Sequence, residues 1–147
     1  MRFALSPREK CDEWFDGCEV IVSLHVATGG AAGALTRSRA AALALGPVLH
    51  AFGDAIPHRD IPSRGFEVGS GVACALALLV RHGPTSPVTI GALAASAPDL
   101  EHILPRIGER ELFPSHRFPG WHREGGVPAW AQLVAAGAIL AVLLRRG

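Results

Sequence analysis

Tyrosine is missing from these 147 residues, and aromatic side chains make up only 6% of them. Charge is also scarce. Asp, Glu, Lys and Arg together are 18%, below the roughly 25% of an average soluble domain. The 14 basic and 13 acidic residues leave a net charge of +1, so the basic face of an electrostatic nucleic-acid binder is lacking. Cysteine occurs three times, at Cys11, Cys18 and Cys74, with no CxxC pair. An odd count without metal-finger spacing excludes a disulfide-stapled scaffold. What the chain does have is apolar mass: 49% hydrophobic residues, mostly Ala, Leu and Val, interleaved with 17 glycines. That much surface seeking burial excludes disorder, and the length suits one domain.

Residues 1–19 are polar and lack the basic and apolar regions of a signal peptide, so they read as a poorly ordered arm. Cys11 and Cys18 within it supply half a zinc site at best. From Val20 to Gly147 five charge-free runs organise a single helical domain: Val20–Thr36, Ala40–Gly53, Val68–Val80, a run from Gly83 to Pro98 whose helix starts near Val88, and Gly125–Leu144. Alternation of period two is absent, and Gly and Pro fall between the runs, where helices end. The expectation is an all-α bundle of about five apolar helices. A membrane span needs about 20 apolar residues. The fifth run alone meets that length outright. Gly29 with Gly33, and Gly91 with Ala95, have the small-residue spacing that lets helices approach closely. The same spacing also serves tight packing in a compact soluble bundle, which is the alternative, but the composition favours a membrane-embedded one.

If the helices run up and down, six of the seven histidines fall at one end: His25, His50, His58, His102, His116 and His122. His82 alone falls at the other. Acids accompany them. His50 and Asp54 are i,i+4 and share a helix face, and Asp99 and His102 are i,i+3. Imidazole with carboxylate suits zinc, manganese or iron better than calcium. Histidines and acids at the ends of apolar helices usually mark a functional site. The expected ligands of a divalent metal, zinc first, are His25, His50, Asp54, His58, Asp99, His102, His116 and His122. His58 also reads as a partner that orients a ligand. Each has an ordinary alternative: a core histidine for His25, a helix cap for Asp54, a first-turn acid for Asp99, a solvated basic loop for His116 and His122. It is their convergence that argues for metal. Glu101 or Asp60 is the candidate general base. Arg117 and Arg123 are candidate clamps for a phosphate or carboxylate, unless they merely neutralise Glu109, Glu111 and Glu124.

The pattern resembles the small, predicted membrane-bound metal-dependent hydrolases of bacteria and archaea. It rests on His25 in a glycine-rich apolar helix (Leu24-His25-Val26-Ala27-Thr28-Gly29-Gly30), on His50-Ala-Phe-Gly-Asp54-Ala-Ile-Pro57-His58-Arg-Asp60, on Pro98-Asp99-Leu100-Glu101, and on His116-Arg117 and His122-Arg123. It covers roughly Val20 to Arg123, and the His50–Asp60 signature is its most specific piece. Two features depart from it: Glu101 stands where family members often have Asp, and Arg123 follows His122 where they have a His-Ser or His-His pair. The resemblance implies hydrolysis, through a metal-activated water, of a small-molecule or lipid substrate, such as a phosphoester. Nine basic residues on the histidine side against five on the other place the site on the cytoplasmic side of an inner membrane. Nucleic acid is not an expected partner. The competing reading is a non-enzymatic metal-binding membrane protein: carrier, sensor or scaffold. Haem ligation fits the paired acids less well. A serine hydrolase is excluded, because no Gly-x-Ser-x-Gly elbow is present.

Overall fold

A computed structural model of the chain describes residues 21–59, 61, 63–103, 112–118, 120, 121 and 125–145. The arm, with Cys11 and Cys18, and the site candidates Asp60, His122 and Arg123 lie outside them. Among the described residues the structure is all-helical: α1 (Val22–Thr36), α2 (Arg39–Ala55), α3 (Arg64–His82), α4 (Pro87–Ser96), the single turns α5 (Leu100–Ile103) and α6 (Pro114–Arg117), and α7 (Ala129–Arg145).

Local chemistry sets the helix ends. Ser38, Ser63 and Ser86 cap α2, α3 and α4, each accepting a backbone N–H from the first turn. Pro87 follows Ser86 at a position where its missing N–H costs nothing. Ile21 precedes α1 and has no side chain to offer. There Glu67, from α3 and fully buried, accepts the Val22 N–H at 3.3 Å. At the opposite end, Arg81 and His82 donate to the carbonyls of Leu144 and Leu143, both at 3.1 Å. His82, at the opposite end from the other described histidines, is thus part of the C-terminal cap of α7.

α4 is the hub, packed against both α1 and α2. Small residues make this possible. A Cβ at Gly29 would stand 2.2 Å from the Gly91 carbonyl oxygen, and one at Gly46 would stand 2.5 Å from the Ala94 Cβ. Backbone therefore meets backbone, and α1 and α2 are held at a fixed spacing from α4. The core cluster of Val26, Leu78, Val88, Ala92 and Leu143 joins α1, α3, α4 and α7.

The expected membrane-embedded bundle is corrected here. No helix among the described residues is long and apolar enough to cross a membrane. The reason lies in the turns. The fifth apolar run begins with Gly125 and Gly126, both at positive φ, and Pro128 follows, so α7 starts only at Ala129. Its 17 residues span about 25 Å, against a hydrocarbon core of about 30 Å. α3 has 19 residues but includes Arg64, Glu67 and Arg81.

Gly29→Val would drive a branched side chain into the Gly91 backbone. The expected loss is about 1–3 kcal/mol or more, read as a lower thermal midpoint. An unchanged midpoint would show that α1 and α4 do not pack this way.

Candidate metal centre

The end of α2 carries the centre. His50 and Asp54 lie one turn apart, and both are fully buried. Burying two such groups is costly unless their polar atoms are satisfied. The His50 Nδ1–H donates to the Ala95 carbonyl on α4 at 2.8 Å. A carbonyl only accepts, so in a neutral ring Nε2 carries the lone pair. That Nε2 stands 3.2 Å from Asp54 Oδ2 and 3.6 Å from Asp99 Oδ1.

α6 closes the set. His116 Nε2 lies 3.2 Å from His50 Nε2 and 3.5 Å from Asp54 Oδ2. On the other side of its ring, Nδ1 donates to Glu101 Oε1. Glu101 Oε2 accepts the backbone N–H groups of Leu112 and Phe113 at 2.8 and 3.1 Å. Ser115, also buried, donates its hydroxyl to Asp54 Oδ2. Phe113 covers His50 edge-on, with ring centroids 5.2 Å apart.

α1 contributes His25, stacked on His50 at a centroid distance of 4.1 Å, with Nε2 at 3.4 Å from Asp54 Oδ1. Gly53 makes room for it, since a Cβ there would stand 2.7 Å from the His25 ring. His58 is buried nearby and its charge bears on His25. Its Nδ1 donates to the Ile56 carbonyl at 2.6 Å. The strand-like pairing of His58 with Val127 holds the loop, and Gln132 of α7 donates to the Arg59 carbonyl at 2.9 Å.

The structure therefore brings together His25, His50, Asp54, Asp99, Glu101 and His116, with His58 beside them. His102 lies in α5, but its side chain is outside the described residues. Arg117 is exposed at the end of α6. Ser115, Phe113 and Gly53 belong to the site and were not singled out in the sequence. Ser115 and Gly53 had one signal each: they directly precede His116 and Asp54.

The electrostatics follow from this crowding of acceptors. Burial works against the Asp54 carboxylate, yet the imidazoles of His116, His25 and His50 crowded around it hold its pKa far below the ordinary carboxylate range. Burial likewise opposes Glu101, and contacts from His116, Leu112 and Phe113 lower it. His116 is raised, because Asp54 and Glu101 outweigh its burial. His25 goes the other way: burial pushes it down to about 4, only partly offset by Asp54.

Among the described residues two groups could ligate a metal, His50/Asp54/His116 and His25/His50/Asp99, each with its donor atoms within 4.8 Å of one another. The first is the tighter. Its edges of 3.2, 3.2 and 3.5 Å match the roughly 3.3 Å ligand–ligand spacing of a tetrahedral ion with bonds near 2.0–2.1 Å. Each of its three ligands is also held from behind, by Ala95, Ser115 or Glu101, as metal ligands generally are.

Without metal, the stability of the protein should peak near pH 6.5. As pH falls from 6.5 towards 4, unfolded His25 takes up a proton that folded His25 refuses, costing of order 3 kcal/mol across the window. As pH rises above 6.5, the stability from the raised His116 is lost through its folded pKa. Denaturant titrations in chelator at a series of pH values test this. His25→Gln should flatten the acidic limb, and an acidic limb that stays steep would refute the assignment to His25.

Comparison of the chain with family models, with curated proteins and with solved structures gave no match.

Proposed function

We propose that this chain is a metal-dependent hydrolase in which His50, Asp54 and His116 hold a divalent cation. One observation carries the reading: three ligand atoms, two nitrogens and one oxygen, stand at tetrahedral-edge distances from one another, with His50 and Asp54 fully buried. Such a cluster of acceptors repels itself unless a cation, or a proton on one of its nitrogens, lies among them. Zinc suits the donor set, and manganese or iron are the alternatives. The resemblance of the His50–Asp60 and Pro98–Glu101 segments to metal-dependent hydrolases points the same way.

A cation held by His50, Asp54 and His116 would supply an activated water as nucleophile. The protein's own residues do the rest. Ala95 fixes the His50 tautomer, so that Nε2 faces inward. Glu101 fixes His116 in the same way, and both its oxygens are engaged in doing so. That engagement suits Glu101 to positioning rather than to proton abstraction. Asp99, 3.6 Å from His50 Nε2, is the next carboxylate beside the centre. Arg117 is exposed and available to an anionic substrate, which makes phosphoesters the first class to test. The depth of burial favours a second reading, a resident ion that stabilises the fold without chemistry. Hydrolysis separates the two.

Elemental analysis of the purified chain should find bound zinc, manganese or iron, lost in His50→Ala and His116→Ala. Glu101→Gln should weaken metal affinity about 10–100-fold. A chromogenic phosphodiester should be cleaved by the loaded chain, with kcat/KM lower by three orders of magnitude or more in His50→Ala. A chain that takes up none of these metals when they are added back would refute the proposal. Metal uptake without hydrolysis across ester and phosphoester probes would favour the resident-ion reading.

A further inference from the structure

Asp54 has two oxygens, and they face different partners. Oδ2 meets His50, His116 and Ser115, while Oδ1 meets His25. Oδ1 makes no hydrogen bond, and neither does His25 Nε2. Both atoms are buried in residues 0% and 3% exposed, and they stand 3.4 Å apart. Two ligand-type atoms left in this state, side by side, are unusual, because buried polar atoms nearly always find a partner. Their separation again equals a tetrahedral ligand edge for bonds of about 2.0–2.1 Å.

Asp99 lies on the same side. The donor atoms of His25, His50 and Asp99 are all within 4.8 Å of one another. His50 cannot serve this second group as well as the first. Its Nδ1 proton is committed to the Ala95 carbonyl, so the ring offers one lone pair and therefore one metal bond. Remove His50 from the second group, and His25 with Asp99 remain, next to the idle oxygen of Asp54.

We infer that a second divalent cation binds there, held by His25 Nε2, Asp54 Oδ1 and Asp99, with Asp54 bridging it to the cation proposed at His50 and His116. The inference rests on the metal-hydrolase reading and extends it. A carboxylate bridging through both oxygens suits two ions in one cavity, and ions about 3.5–4 Å apart clamp both the attacking and the leaving oxygen of a phosphoester. This gives Gly53 a reason as well: only a residue without a side chain lets His25 reach the second face of Asp54.

The test is manganese(II) titration of the metal-stripped full-length chain, followed by calorimetry and electron paramagnetic resonance. The wild type should bind two equivalents and, at saturation, give the spectrum of a spin-coupled pair. His25→Asn should bind one equivalent and give an isolated-ion spectrum. His116→Ala should lose the tighter site. Saturation of the folded wild type at one equivalent, with an uncoupled spectrum, would overturn the second ion while leaving the first. No binding at all would overturn both. The wild-type stoichiometry decides the matter even if a variant does not fold.

Discussion

A single buried carboxylate organises this molecule. Asp54 is fully enclosed, and ionised groups pay several kcal/mol for leaving water. Imidazoles from α1, α2 and α6, and a hydroxyl from α6, meet around it. No helix could bring them alone. The carboxylate thus ties two segments, α1 and α6, to the last turn of α2. Removing it would leave several polar groups buried without their common partner. Such networks are satisfied as a whole or become a liability, which is why helices that are otherwise apolar carry so much polarity at one end.

The precision of that end comes from the plainest part of the chain. The buried residues of α4 are mostly Ala, Gly and Thr, yet they set the distance between α1 and α2. Gly29 against Gly91 and Gly46 against Ala94 leave no side chain to flex between the backbones. His25 and His50 are consequently placed by backbone contact and not by long adaptable side chains. The Ala95 carbonyl that orients His50 belongs to the same helix. Spacing and tautomer are thus both controlled by α4.

The helices were legible because their apolar runs and their Pro and Gly boundaries are local signals. Ser38, Ser63 and Ser86 cap helices that begin ahead of the expected Ala40, Val68 and Val88, by four residues in the case of Val68. The pairing of His50 with Asp54 was legible from helical periodicity alone. Membrane embedding was misread because composition does not register where a turn trims a helix: Gly125, Gly126 and Pro128 belong to the apolar run but not to α7. Glu67 went unnoticed for the opposite reason. A lone acid at a helix start looks solvated, and only the tertiary fold reveals that it faces the bare N-terminus of α1. Ser115 was hidden in the same way, since its partner is 61 residues distant. The double engagement of Glu101 depends on the backbone of Leu112 and Phe113, which no residue pattern encodes.

α7 takes no direct part in the centre, yet it is pinned twice. Near its start, Gln132 grips the backbone of the segment that carries His58. At its finish, Arg81 and His82 hold its final carbonyls. A rod fastened at both extremities behaves as a ruler. It cannot slide along its axis by a turn without breaking one attachment or the other. The distance from the histidine pole to the opposite pole is therefore gauged by the residue count of α7, and a deletion within that helix would be felt at His58 although the two lie on separate segments.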